Sequence, residues 1–133
     1  MTIVFNGTTG ITTPSTLNDT SASGYTTGSG GTVTQLTSRT TGVTLNKATG
    51  AITLVSATTT AGTFSSFTVT NSEVAANDVI VLNFASAATA DKYALTVTAV
   101  GAGSFRIQIY NIAAVGVAEA PVINFAVIKG AAS

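Results

Sequence analysis

The chain has 133 residues, of which 45% are hydrophobic and only 8% are charged, and its five basic and five acidic residues sum to a formal charge of zero. Without an excess of positive charge it cannot neutralise phosphates, so nucleic acid and anionic membrane surfaces are excluded as expected partners. The chain also has no cysteine and no histidine. This removes disulfides, Ser-His-Asp and Cys-His catalytic sites, and the usual zinc and copper ligands.

The first 30 residues differ from the rest of the chain. Residues 6–31 are small, polar and glycine-rich, with too few large apolar side chains to form a core. We interpret residues 1–30 as an extended N-terminal arm or linker and residues 31–133 as one β-domain. At about 3.3 Å per residue, such an arm could lie across a neighbouring subunit. The side chains expected to make its contacts are Ile3, Phe5, Ile11, Pro14, Leu17 and Tyr25.

From residue 32 onward, short runs rich in Val, Ile, Thr, Phe and Tyr are separated by clusters of Gly, Asn and Ser. This pattern is typical of an all-β sandwich or barrel, and no segment predicts a helix. We therefore predict an antiparallel β-sandwich, jelly-roll-like, with about eight strands and an extended N-terminal arm. The predicted strands are 32–36, 42–46, 51–56, 64–70, 78–84, 93–100, 104–110 and 122–128.

Period-two alternation predicts which side chains face the core. Tyr93, Leu95 and Val97 belong to one face of their strand, which we assign to the core. The runs 78–84 and 122–128 are apolar on both faces, so these strands are either central in the sandwich or bury their second face against another subunit. The residues predicted at a subunit interface are Ile123, Phe125 and Tyr110.

Four connections stand out between the strands. Residues 45–52 predict a hairpin with a tight loop in which Gly50 takes a positive φ, and residues 100–104 predict a second such turn. Residues 71–78 connect two strands and have room for one helical turn. Residues 113–121 form an unusually apolar loop, which suggests a contact with another molecule.

Little in the sequence predicts chemistry. A glycoside hydrolase would need two converging carboxylates, but the spacing of the five acidic residues favours solvated loop charges. Glu73 and Asp78, with Asn71 and Asn77, form an oxygen-rich set that could hold calcium, yet the D-x-[DN]-x-[DN]-G pattern is absent and a plain connecting loop is simpler. We predict no catalytic residue, no cofactor and no metal. The acidic residues are Asp19, Glu73, Asp78, Asp91 and Glu119.

Four segments of the sequence carry a resemblance to known proteins. They are "GTVTQLTSRTTGVTLNKATGAITL" at 31–54, "FTVTNSEVAANDVIVLNF" at 67–84, "YALTVTAVGAGSFRIQIYN" at 93–111 and "PVINFAVIKG" at 121–130. These segments resemble a family of small virion proteins of tailed bacteriophages, the capsid decoration (cement) and head-fibre proteins. The resemblance implies a β-sandwich that is commonly trimeric and has no enzymatic activity. It also implies the major capsid protein as a partner, assembly in the host cytoplasm, and a final location on the capsid surface of the virion.

The expected function is therefore a capsid decoration protein, a homotrimer whose arm contacts the outer surface of the phage head. Threonine-rich strands with few charges suit this function, because they can pack against a partner without the cost of desolvating ions. Arg39 and Lys47 either pair with acidic groups of the capsid or are solvated loop charges. The alternative function is a tail-fibre or receptor-binding module, whose loops 71–78 and 113–120 would contact the host surface.

Overall fold

The computed structural model describes residues 24–25 and 27–131. Five of the predicted arm contacts lie outside the described residues. They are Ile3, Phe5, Ile11, Pro14 and Leu17. Within the described residues the chain forms strands and no helix. The strands are β1 (Gly30–Thr34), β2 (Val43–Thr44), β3 (Thr49–Thr53), β4 (Ala57–Thr58), β5 (Phe64–Thr70), β6 (Val79–Ser86), β7 (Tyr93–Gly101), β8 (Ser104–Asn111), β9 (Ala118–Glu119) and β10 (Val122–Ile128).

Two four-stranded sheets form the body of the domain. Sheet A has the strand order β1-β3-β10-β6, and sheet B has the order β2-β5-β8-β7. The short strands β4 and β9 pair with each other outside both sheets. The inward side chains of the two sheets form one apolar core, which confirms the predicted all-β sandwich.

The pairing is antiparallel inside the sheets but parallel at one edge of each. β1 runs parallel to β3, and β2 runs parallel to β5. The cause is the path of the chain, which leaves sheet A after β1, adds β2 to sheet B, and returns to sheet A as β3. A connection that passes through the opposite sheet brings the next strand back in the same direction.

This path also shows that the predicted hairpin at residues 45–52 is wrong, because β2 and β3 belong to different sheets. Gly50 lies inside β3 and is not among the glycines with positive φ. A Cβ atom there would lie 2.6 Å from Leu45 Cδ2 and 2.8 Å from the Gly31 carbonyl oxygen. Glycine is therefore needed for close packing of the crossing segment. The predicted turn at 100–104 is confirmed as the β7–β8 hairpin, with Gly103 at φ +78°.

The core faces follow the predicted alternation. Phe105, Ile107 and Ile109 of β8 are fully buried, and β8 lies between β5 and β7. Tyr93, Leu95 and Val97 pack against this core as partly buried residues, which confirms their predicted face. The buried apolar residues of the core are Val43, Ile52, Leu54, Phe67, Val69, Val74, Ile80, Phe105, Ile107, Ile109, Ile123, Phe125 and Val127.

The sandwich has two ends, separated by about 27 Å for a strand of eight residues. We call the end where β1 begins the entry end and the opposite end the far end. Residues 71–78 cross from sheet B to sheet A at the entry end and form turns without a helix. Residues 87–92 cross back at the far end. The loop 112–117 that follows β8 also lies at the far end, as does the β4–β9 pair.

Candidate functional site

The two core-facing residues assigned to a subunit interface do not lie at an external surface. Ile123 and Phe125 of β10 are 0% and 2% exposed, and the Phe125 ring lies 5.3 Å from the Phe105 ring, centroid to centroid. The interface prediction for these two residues is wrong, because β10 is a central strand and this face of it forms the core of its own chain. The opposite face of β10, with the exposed Ile128, points outward.

Tyr110 does lie on an outer surface. It is directly opposite Phe64 in the β5–β8 ladder, and both side chains are exposed on the outer face of sheet B. Further apolar side chains at this end follow in the chain after β8. We call this group the far-end patch; it consists of Phe64, Tyr110, Ile112, Val115 and Val117.

The loop that carries the far-end patch is held in place by Asn111. The Asn111 side chain is fully buried, and its Nδ2 donates to the Thr59 carbonyl at 2.7 Å and to the Val115 carbonyl at 3.2 Å. Its Oδ1 accepts a hydrogen bond from the Ala113 backbone N–H at 3.0 Å. The apolar side chains of the loop are therefore presented on a fixed backbone, as a preformed binding surface requires.

Arg39 lies inside the far end, where it links three segments. Its side chain donates from Nη2 to the Ala57 carbonyl at 2.8 Å and to the Glu119 carbonyl at 2.5 Å, which joins the loop after β1 to β4 and β9. Arg39 is 5% exposed, and desolvation by burial lowers its pKa. Both sequence interpretations of Arg39, as a capsid contact and as a solvated charge, are therefore wrong.

A second group of polar side chains at the far end surrounds the Glu119 carboxylate. We call Arg39, Thr89, Lys92 and Glu119 together the far-end cluster. Thr89 donates its hydroxyl to the carboxylate, and the Lys92 ammonium lies 4.0 Å away. The hydrogen bond from Thr89 lowers the pKa of Glu119. Lys92 Nζ also lies 5.4 Å from the centre of the Tyr93 ring. Burial, together with the neighbouring Glu119, raises the pKa of Tyr93 to about 12.

At the entry end, Asp78 is the last residue of the crossing segment 71–78, and its side chain holds this segment in place. Its carboxylate accepts hydrogen bonds from the Ala75 N–H at 2.8 Å, the Lys129 ammonium at 2.6 Å and the Gly130 N–H at 3.0 Å. These donors, the Ala75 N–H most strongly, lower the pKa of Asp78 to about 2. Both carboxylate oxygens thus already have protein partners, so this loop offers little to a calcium ion.

The Asp78 and Glu119 carboxylates do not come together. Asp78 lies at the entry end and Glu119 at the far end, a strand length apart. Within the described residues, no three acidic side chains come together in a way that could hold a metal ion. The Asp78 and Glu119 carboxylates both accept hydrogen bonds from groups within the fold.

The outer faces of the sheets carry almost no charge. Among the strand residues, only Arg106 and Glu119 are charged, and Glu119 is turned into the far-end cluster. Lys47 is exposed in the loop before β3 and donates to the Gly28 carbonyl at 3.4 Å. Tyr25, predicted as an arm contact, donates a hydrogen bond from its hydroxyl to the Val127 carbonyl of its own domain, and the residue is 47% exposed.

Sequence reasoning missed a groove along one side of the sandwich. β6 and β7 are edge strands of the two sheets and lie on the same side of the domain. Between them is a groove of about 330 Å³, which we call the open edge. The sequence does contain an indication of this groove, because the two longest edge strands contain neither a charged residue nor a proline. The groove is lined by Ile80, Leu82, Leu95, Thr96 and Val97.

No family model, curated protein or solved structure matches this chain. In the part of the chain that the structure describes, there is also no helix of the length and hydropathy that a bilayer crossing demands.

Proposed function

We propose that this chain is a structural protein of a bacteriophage virion, and that it acts as a capsid decoration protein on the outer surface of the head. The observation that carries the proposal is the scarcity of charge on the outer faces of the two sheets. Arg106 is the one charged residue on the outer faces of the described strands. Such faces can pack closely against protein without desolvating ions, a step that costs several kcal/mol per ion.

The position of the N-terminal segment gives this proposal an orientation. The described chain reaches β1 at the entry end, where Lys47 contacts the Gly28 carbonyl and Tyr25 contacts β10. An arm that binds the capsid would therefore place the entry end toward the shell and the far end away from it. Three copies, each with one arm, would bind with higher avidity than one copy. The bound protein would stabilise the shell by mass action.

The first experiment is to locate the protein on intact particles of the phage by cryo-electron microscopy. We expect density on the head at symmetry-related positions, with the entry end against the shell. Density confined to the tail tip would contradict the decoration proposal. Absence from purified particles would contradict a virion function altogether.

A second experiment tests the arm in the full-length protein. Replacing Ile3, Phe5, Ile11 and Leu17 together with serine should abolish binding to purified shells, because these are four of the six side chains predicted to make the contacts of the arm. The control replaces Thr8, Thr9, Thr12 and Thr13 with serine and should bind as the wild type does. Equal binding by both variants would overturn the arm contact.

The alternative function, a receptor-binding module on the tail, is favoured by one feature, the far-end patch. The two loops expected to contact the host, 71–78 and 113–120, lie at opposite ends of the sandwich, so they cannot contact one flat surface together. Under this alternative we assign host contact to the far end, where the exposed apolar patch lies. Val115→Ser with Val117→Ser would then lower adsorption of the phage to its host, whereas a decoration protein would tolerate both changes.

A further inference from the structure

We infer that the open edge between β6 and β7 is the surface through which copies of this chain associate. The inference starts from the backbone. β6 pairs only with β10, and β7 pairs only with β8, so the outer side of each strand has no partner strand in the described structure. Unpaired strand edges bind other strands readily, and natural proteins protect them with short strands, charges or proline.

The two sides of the sandwich differ in this protection. On one side, the edge strands are β1, with five residues, and β2, with two. On the open side, β6 has eight residues and β7 has nine. None of these seventeen residues on the open side is charged or a proline. Each strand carries one register shift, near Ala85 in β6 and near Thr98 in β7, which leaves a regular stretch in both.

Most side chains that line the open edge are apolar; Ile80 is buried, and Leu82, Leu95 and Val97 are partly buried against the core. Ile80 and Leu82 of β6 meet Leu95 and Val97 of β7 across the groove. The outer face of sheet A also carries an apolar strip at β6, where Val79 lies opposite Ile128 in the ladder and Val81 follows two residues later. Val81 is 48% exposed. The groove and this outer strip lie on the two opposite faces of β6.

The size of this surface suits a protein contact. Strands of eight or nine residues are about 27–30 Å long, and two sheets packed about 10 Å apart, with outward side chains, are about 20 Å thick. The open edge therefore offers about 600 Å² per copy. Two copies would bury about 1,200 Å², which is the lower limit for a stable protein interface.

A second copy of the chain is the occupant that the charge pattern favours. In a symmetric assembly the same patch, or one overlapping it, is contributed by every copy, so a charged residue near the symmetry axis would face its own equivalent. A surface without charges avoids this repulsion. The inference depends on the proposed function only for the expected number of three copies.

The test places lysine on the exposed face of each open-edge strand. Val81→Lys with Thr96→Lys changes two exposed positions without altering the core. The matched control is Thr34→Lys with Thr44→Lys, which adds the same charges to exposed positions on β1 and β2 at the opposite edge. The mass of each protein in solution is measured by sedimentation equilibrium across the micromolar range.

We expect the wild type and the control to have a mass of several times 13.2 kDa, and the open-edge variant to have the 13.2 kDa mass of one chain. The inference is overturned if the open-edge variant keeps the wild-type mass, if the control dissociates equally, or if the wild type is a monomer throughout. Shell binding is measured separately. An oligomer that binds no shell overturns the proposed function while the edge inference stands.

A cysteine variant decides the question if the lysine variant fails to fold. The chain has no cysteine, so Val81→Cys introduces a single thiol at the open edge, and Thr34→Cys introduces one at the opposite edge. Cross-linking between copies with a short bismaleimide should occur at position 81 and not at position 34. Equal cross-linking at both positions, or cross-linking only at position 34, overturns the inference.

Discussion

The two ends of the sandwich hold their charged groups in different ways. At the entry end, the buried Asp78 carboxylate is paired with Lys129, whose side chain is 64% exposed. At the far end, Arg39 and Lys92 are 5% and 4% exposed, and both are held by groups inside the fold. The ion pair at the entry end therefore reaches solvent through Lys129, whereas the far end depends on a fixed set of buried contacts.

Replacing Arg39 should show the largest difference between the ends. Arg39→Met leaves the Ala57 and Glu119 carbonyls without their donor, so we expect a loss of about 2–4 kcal/mol in the free energy of unfolding. Urea unfolding at neutral pH measures this loss. The control Arg106→Met removes the same charge from an exposed position on β8 and should change stability by no more than about 0.5 kcal/mol. Equal losses in both variants would contradict a structural function for the buried guanidinium.

Replacing Asp78 should have a smaller effect on stability, and this effect should depend on pH. Its pKa is about 2 in the folded protein, below the ordinary value of 3.8, so its stabilising contribution is present above pH 4 and is lost as the pH falls toward 2. The difference in stability between the wild type and Asp78→Asn should therefore shrink across this range. Because Glu119 also has a lowered pKa, the comparison must be made between these two proteins and not from the wild type alone. A difference that stays constant from pH 5 to pH 2 would contradict the assignment.

Tyr93 should have the smallest effect, at alkaline pH. Its pKa is raised from 10.0 to about 12 in the folded protein, so the unfolded chain loses this proton first. The stability that depends on the protonated tyrosine is complete below pH 10 and is lost as the pH rises toward 12. The stability of the wild type should therefore fall more steeply than that of Tyr93→Phe between pH 10 and pH 12. Parallel curves for the two proteins would show that Tyr93 ionises equally in both states.

The strands could be predicted from the sequence because the alternation of polar and apolar residues lies within each strand. Alternation in 93–100 assigned Tyr93, Leu95 and Val97 to the core face, and the structure packs all three against the core. The parallel edge pairs could not be predicted in this way, since they depend on which sheet the chain enters after β1. The Gly50 error has the same origin, because a turn and a close crossing both select glycine.

The site was predicted less well, for a related reason. A strand that is apolar on both faces indicates burial but does not say what covers it, so Ile123 and Phe125 were assigned to another subunit when their own core covers them. Arg39 sits in a polar loop and gives no sign of burial in the sequence, because its partners are carbonyls of Ala57 and Glu119, far along the chain. The open edge was readable only as a lack of charges in 79–86 and 93–101.

The position of β10 has a consequence for synthesis of the protein. β10 is the last strand of the described chain, yet it lies in the middle of sheet A, between β3 and β6. During translation, β3 and β6 are made first and cannot join until residues 122–128 have left the ribosome. Until then, the backbone groups of β3 and β6 that pair with β10 are exposed, and the core lacks the side chains of β10. The final strand therefore acts as the step that commits the chain to its fold, and a product that stops before it would be prone to aggregation.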